Sequence, residues 1–303
     1  MRAALPSALP SGPARWALLL MWVVPGLWSS NYIIARLADG VVAPHALAFG
    51  RWLLALALML PFVAGTLWRS RAAVRAEATQ LLVLGSLGMW ICGAWVYLGG
   101  QSTSATNIAL IYAACPVAIA VAGTRLLHER MSRAQGAAVA LALAGVVFII
   151  VRGDPAVLLG LRFSVGDAWI VAAAVAWTAY SVLLKRWPSA LPPAARLAAI
   201  IAGGLLVLAP FTLAEALLGD VPPFGTRAAL LVVLAALLPG LLSYTAYSYL
   251  QREVGAARSA LMLYLAPVYA AVLAWLVLGE RPGWYHLAGA ALILPSIWLA
   301  TRR

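Results

Sequence analysis

Residues 105–130 read ATNIALIYAACPVAIAVAGTRLLHER, and residues 256–281 read AARSALMLYLAPVYAAVLAWLVLGER. At a constant offset of 151, about ten of the twenty-six positions are identical, among them Ala105/Ala256, Pro116/Pro267, Glu129/Glu280 and Arg130/Arg281. The offset is about half of the 303 residues, so one half of the chain is a diverged copy of the other. A duplication on this scale in an apolar chain points to a membrane carrier whose site forms where the halves meet.

The composition agrees. Hydrophobic residues make up 64% of the chain and charged ones 10%, whereas a soluble domain is about half apolar and about a quarter charged. With so little charge the bilayer is the solvent, and no separate soluble domain fits. A spanning helix needs roughly 20 mostly apolar residues. Ten such stretches occur, near 16–36, 45–66, 79–100, 103–124, 133–151, 167–185, 193–217, 227–250, 255–278 and 283–301. The first runs to about Ile34 and is long enough to span, which separates it from a cleaved signal peptide. The reading is an all-α membrane protein of ten transmembrane helices, with a first five-helix repeat over 1–152 and a second over 153–303.

The net charge of +12 sits in short arginine clusters between apolar stretches, which argues for orientation signals and against a nucleic-acid partner. With the N-terminus inside, fourteen Lys/Arg fall in inner loops and tails, including Arg69, Arg71, Arg75, Arg125, Arg130, Arg133, Lys185, Arg186, Arg252 and Arg258. Five fall outside, namely Arg36, Arg152, Arg162, Arg227 and Arg281. Both termini are therefore expected in the cytoplasm of a bacterial inner membrane. Five spans per half is an odd number, so the second half enters the membrane from the opposite side. Inverted repeats allow two conformations, one open to each side, because each half can take the shape of the other.

The cysteines, Cys92 and Cys115, both lie in apolar stretches and suggest neither a disulfide nor a thiolate metal site. His45, His128 and His286 fall near helix ends without metal-ligand spacing, so no metal or other cofactor is expected. The acids Asp39, Glu77, Asp154, Asp167, Glu215, Asp220 and Glu253 lie at span edges. A proton-coupled carrier usually keeps a titratable group in its path. The missing mid-depth carboxylate favours facilitated diffusion, and also weighs against cationic cargo. A membrane enzyme would need clustered acid, base or nucleophilic groups at one face, and these are scattered.

Pro116 and Pro267 lack the N–H that would bond the carbonyl four residues earlier, which frees the carbonyls of Tyr112 and Leu263 near mid-membrane. Those carbonyls are met either by neighbouring helices or by a substrate ammonium. Glu129 and Glu280 each end a helix, and act either as hinges capping the N-terminus of the following helix or as part of a gate. Arg51, a turn or two into the second span, either snorkels outward or holds a substrate carboxylate. Trp90, Tyr97, Tyr112, Trp177, Tyr180, Tyr244, Tyr247 and Tyr264 lie within spans, and Asn31, Gln101 and Asn107 add hydrogen-bonding groups. Apolar faces with a few polar groups suit a pocket for an uncharged or zwitterionic small molecule. Glycines in the third, fifth, seventh and tenth spans let helices approach closely.

Several of these residues also carry a family resemblance: Trp28-Ser29-Ser30-Asn31 in the first span, Phe49-Gly50-Arg51-Trp52 in the second, and a mid-helix proline followed about thirteen residues later by Glu-Arg before a glycine-rich helix. The chain resembles the drug/metabolite transporter superfamily in its ten-helix branch of two inverted EamA-type repeats, and within it most closely the bacterial YddG-type aromatic amino-acid exporters. One departure is Pro295-Ser296, where the first repeat has Gly145 in Ala144-Gly145-Val146. The resemblance implies a central cavity built by spans 1, 3, 4, 6, 8 and 9, spans 5 and 10 as scaffold or dimer surface, a monomer or homodimer, and hydrophobic or aromatic L-amino acids as the small-molecule substrate.

Overall fold

The computed structural model describes residues 13–103, 105–129, 131–219, 221–279 and 281–301. Glu280 lies outside the described residues. The described chain is helical with no strand. Its principal helices are α1 (Pro13–Ala38), α2 (Pro44–Arg69), α3 (Ala78–Gly100), α4 (Ala105–Ala113 and Cys115–Leu126), α5 (Arg133–Ile150), α6 (Val165–Arg186), α7 (Pro193–Leu218), α8 (Thr226–Val254), α9 (Ala256–Ala260, Leu261–Leu265 and Ala266–Leu278) and α10 (Trp284–Thr301). Among the described residues, nine helical segments are long and apolar enough to cross a bilayer. The tenth expected segment, α10, is an 18-residue helix packed along α5. Large apolar side chains such as Phe62, Val175 and Leu206 point outward from within their helices, a surface that lipid covers and water does not.

The 151-residue offset recurs in backbone geometry. The prolines do not bend continuous helices; each begins a new one. The second segment of α4 starts at Cys115 and the last segment of α9 at Ala266, which are 151 apart, with Pro116 and Pro267 in their first turns. There a missing N–H costs nothing. The preceding residues of α9, Leu261–Leu265, tighten into a 3-10 turn, and the carbonyl of Leu263 accepts from the Ala266 N–H. That carbonyl is not free for a substrate, contrary to the expectation from proline spacing. Likewise α3 carries a π-helical stretch at Ser86–Ile91 and α8 one at Ala236–Leu242, again half a chain apart. Such insertions rotate the residues that follow, and they recur at functional sites.

The caps repeat too. At the start of α5 the Ser132 N–H donates to Gln135 Oε1 at 2.9 Å, and at the start of α10 the Gly283 N–H donates to His286 Nδ1 at 3.0 Å. Ser132 and Gln135 form a capping box, so the helix after Glu129 is already capped without it. Glu129 instead crosses to the other half. Its two carboxylate oxygens accept from the N–H groups of Ala256 and Ala257, each at 2.9 Å. The C-terminal end of α4 thus meets the N-terminal end of α9, its own counterpart running the other way.

Helices pair as α2 with α7, α3 with α6 and α7, α4 with α6 and α9, α5 with α10, and α1 with α8 and α9. Glycines set the closest approaches. A Cβ on Gly85 would lie 2.3 Å from the Gly204 backbone N, where α3 meets α7, and a Cβ on Gly145 would lie 2.8 Å from the Gly289 carbonyl O. Ser296 is not the partner of Gly145. It is buried one turn or two further on and donates to the Ile293 carbonyl at 2.7 Å, so α10 packs closely despite the serine.

Candidate functional site

Regular helix spacing builds an aromatic centre. On α6, Trp177, Tyr180 and Ser181 fall on one face, and on α8, beyond its π-helical stretch, Tyr244, Tyr247 and Gln251 do the same. Trp28 of α1 enters between them. Its ring meets Trp177 at 5.0 Å, Tyr247 at 5.1 Å and Tyr244 at 6.1 Å. Trp177 stacks on Tyr180 at 5.5 Å, and Trp52 of α2 meets Tyr244 edge-on at 4.9 Å. These centroid distances are those of favourable aromatic pairs, each worth about 0.5–1.5 kcal/mol beyond area burial. Trp52, Trp177, Tyr180, Tyr244 and Tyr247 are buried. In this conformation the rings close the centre of the bundle against one another.

One turn along α1 from Trp28 the chemistry turns polar. Arg51 of α2 is 4% exposed, far inside the bundle. Its Nη1 donates to Asn31 Oδ1 at 3.3 Å and to Tyr97 Oη at 3.2 Å, while the Tyr97 hydroxyl donates to Asn31 Oδ1 at 2.7 Å. The guanidinium lies over the Trp52 ring, 4.8 Å from its centroid. Its Nε is buried without a partner. Every partner is neutral, and among the described residues no Asp or Glu side chain pairs with it. Burying an unneutralised charge costs several kcal/mol, and in a membrane such a residue is a candidate for function. Gly93 leaves room for it, since a Cβ there would stand 3.2 Å from Nη2. On α4, Tyr112 places its hydroxyl 4.0 Å from Cys92 Sγ of α3.

The structure brings Asn31, Tyr97, Trp177, Tyr180, Tyr244 and Tyr247 into this centre, with Tyr112 and Leu263 half-buried against it. Four expected residues lie elsewhere. Trp90 packs toward α7, stacked on Phe211 at 4.2 Å and meeting Trp95 edge-on at 5.4 Å. The π-helical stretch that contains it shifts its direction, which α-helical spacing does not reveal. Gln101 is exposed in the turn after α3. Tyr264 is buried among Ala142, Val146, Ile293 and Ile297 of α5 and α10. Asn107 closes a different network, donating to the Asp167 carboxylate at 3.0 and 3.1 Å and to the Arg162 carbonyl at 3.0 Å. Thr103 and the Ser164 N–H also donate to Asp167, so this edge acid ties α3, α4 and α6 together.

Three participants go beyond the expected pocket residues. The signal for Arg51 is a charge within an apolar stretch. Trp52 beside it and Trp28 fall in the motifs that carry the family resemblance, but nothing in helix spacing separates them from tryptophans that anchor a helix at the membrane interface. Among the described residues no three His, Cys, Asp or Glu side chains stand together as a metal site. A groove of about 730 Å³ between α4 and α5 is lined mainly by small apolar residues such as Ala114, Val117 and Ala118. It faces away from the polar centre.

Two successive matches to the EamA-like transporter family cover residues 15–151 and 164–302. The chain belongs to the EamA-like transporter family. It is a membrane transporter and not an enzyme. Full-length relatives include an uncharacterized transporter, YyaM, of Bacillus subtilis, 26% identical over 90% of this chain and 89% of that one. Another is a probable terminal-alkyne amino-acid exporter of Streptantibioticus cattleyicolor, 29% identical over 96% of this chain and 94% of that one. A solved crystal structure superposes with a TM-score of 0.75, covering 94% of this chain and 96% of that one at 22% identity, and shares the fold. An EamA-like carrier takes a small molecule as substrate and lipid as surroundings. Its buried Arg51 and ring cluster lie where α1, α2, α6 and α8 of the two halves meet.

Proposed function

We propose that this transporter exports hydrophobic and aromatic L-amino acids from the cytoplasm by alternating access, down their own gradient and without proton coupling. The observation that carries the reading is Arg51, a buried cation with neutral partners alone, set against a cluster of aromatic rings. A carboxylate supplies the charge Arg51 lacks. An apolar or aromatic side chain then replaces the contacts that Trp28, Trp177, Tyr244 and Tyr247 make with one another. The amino-acid cargo of the Streptantibioticus relative, and the likeness to YddG-type exporters, support the same class. The residues 1–152 and 153–303 act as the two inverted repeats, and the arginine-rich loops mark the cytoplasmic face.

The test is uptake of radiolabelled amino acids by proteoliposomes of the pure protein. Phenylalanine or leucine is expected to equilibrate, and Arg51→Gln to raise half-saturation by about tenfold or more through loss of a charge-assisted hydrogen bond. Transport by Arg51→Gln at wild-type rate and half-saturation would remove Arg51 from the site. No uptake of any amino acid by folded protein would reject the cargo.

A further inference from the structure

A second polar cavity, of about 320 Å³, opens at the arginine-rich face between the ends of α6 and α8 and the start of α7. Lys185, Arg196, Ser248, Gln251 and Arg252 line it. It lies on the side of the ring cluster that Gln251 reaches, because Gln251 Nε2 donates to Tyr247 Oη at 3.0 Å.

The cavity holds unmet hydrogen-bonding capacity of both kinds. Gln251 is 2% exposed, and its Oε1 has no partner. Its orientation is fixed by the neighbours: Nε2 also donates to the Ser181 carbonyl at 3.1 Å, so the flipped amide would set oxygen against oxygen. The orphan atom is therefore an acceptor. The cations present the opposite need. Lys185 Nζ donates to the Gln251 carbonyl at 3.1 Å, a neutral partner. Arg196 uses Nη1 and Nη2 on the carbonyls of Leu184 and Trp187, at 3.1 and 2.7 Å, and leaves Nε buried without a partner. Glu77 interacts electrostatically with Arg196 but is already held by the Ser189 hydroxyl and the Ala190 N–H.

We infer that this cavity is a loading site that takes the head group of an α-amino acid before the central site does. The carboxylate sits among Lys185, Arg196 and Arg252, and the ammonium donates to Gln251 Oε1. A simple anion leaves the buried acceptor of Gln251 unpaired, and a simple cation meets three positive charges. A compact zwitterion satisfies both at once, and an orphaned buried polar atom is a cost that such a ligand removes. The inference rests on the amino-acid cargo proposed above. A phosphate with an adjacent ammonium, as in phosphatidylethanolamine, offers the same chemistry from the lipid side.

Ser248→Cys, in a background with Cys92→Ser and Cys115→Ser, places a reporter in the cavity. Its rate of reaction with a maleimide is measured in phosphatidylcholine nanodiscs. L-Phenylalanine is expected to slow labelling at concentrations that phenylpropionate and phenethylamine do not match, and to do so in the Arg51→Gln variant as well. Lys185→Ala with Arg252→Ala, both exposed side chains, should raise the protecting concentration by about tenfold or more, the loss of at least one charge-assisted hydrogen bond. Equal protection by phenylpropionate would overturn the zwitterion assignment. Protection by phosphatidylethanolamine without any by phenylalanine would make the cavity a lipid site and overturn the loading role. No protection in protein that still transports phenylalanine overturns this site alone, whereas no transport and no protection reject the cargo itself.

Discussion

Replacing Glu129 with glutamine tests whether the contact between α4 and α9 is a latch. Two separate carboxylate oxygens accept the Ala256 and Ala257 N–H groups at 2.9 Å each. Both donors belong to the unpaired first turn of a helix, where a negative charge is also favoured by the dipole. A glutamine keeps one acceptor and turns an NH₂ toward the other N–H, so one charge-assisted bond is lost and the charge with it. Bonds to charged groups contribute about 1.5–3 kcal/mol each, and the helix-end charge about 0.3–1 kcal/mol more. A loss of about 2–3 kcal/mol shifts the balance between closed and open forms by roughly 30- to 150-fold. Ser259, buried in the first segment of α9 behind the contact, reports the shift. With the native cysteines replaced, Ser259→Cys should label much faster from the arginine-rich face in the Glu129→Gln background. The offset carries Glu129 onto Glu280, and Ala256 and Ala257 onto Ala105 and Thr106. Glu280→Gln should therefore leave that labelling unchanged or slow it. Unchanged labelling in Glu129→Gln, with unchanged thermal stability, would show that the contact does not hold the closed form.

Gly255→Ala should lower the melting temperature and weaken the same latch, because Gly255 has φ +86 and a Cβ there would lie 2.9 Å from Glu129 Oε1; a non-glycine residue in such a conformation costs about 1–3 kcal/mol, and a melting curve within error of wild type would contradict this. Asp167→Asn should destabilise the face where α3, α4 and α6 join, by about 1–3 kcal/mol for a disturbed buried hydrogen-bond network, lowering transport rate and melting temperature together while leaving substrate half-saturation near wild type. Asn107→Ala belongs with it and should act on stability; a selective rise in half-saturation would return Asn107 to the substrate site. An imposed pH gradient should not drive phenylalanine above equilibrium, since among the described residues no carboxylate at mid-depth of a span stands ready to carry the proton; concentrative uptake on a pH step would refute the uncoupled reading.

The sequence shows the duplication, the paired prolines and Glu-Arg ends because identities survive at helix breaks, where backbone geometry tolerates few residues. It shows less of the site. Trp177, Tyr180, Tyr244 and Tyr247 could be placed within spans by composition, but which faces meet depends on the π-helical stretches at Ser86–Ile91 and Ala236–Leu242. Trp90 lies in the first of these stretches and packs on Phe211, a partner that its place within a span does not reveal. Asn107 looked like a pocket donor because a carboxamide in an apolar helix reads the same whether its partner is a ligand or an acid from another helix. That acid, Asp167, is 60 residues away. The sequence likewise leaves Glu129 open between a cap on the following helix and part of a gate, since a cap across the repeat interface leaves no local mark.

These non-local partners tie the halves together in a consistent way. Glu129 of the first half holds α9 of the second, Asp167 of the second holds α3 and α4 of the first, and Glu77 of the first receives Ser189 and Ala190 of the second. Each is a carboxylate near a membrane face that accepts from donors of the other repeat, Asp167 from the Ser164 N–H of its own as well. Such an acid stabilises one arrangement of the two halves and gives nothing to the lipid-buried path between them. Beside the ring cluster Arg51 is buried with neutral partners, and among the described residues no Asp or Glu side chain pairs with it. The acids of this chain thus tie the halves together near the membrane faces, and with the cargo proposed above the substrate's own carboxylate would complete the charge at the centre.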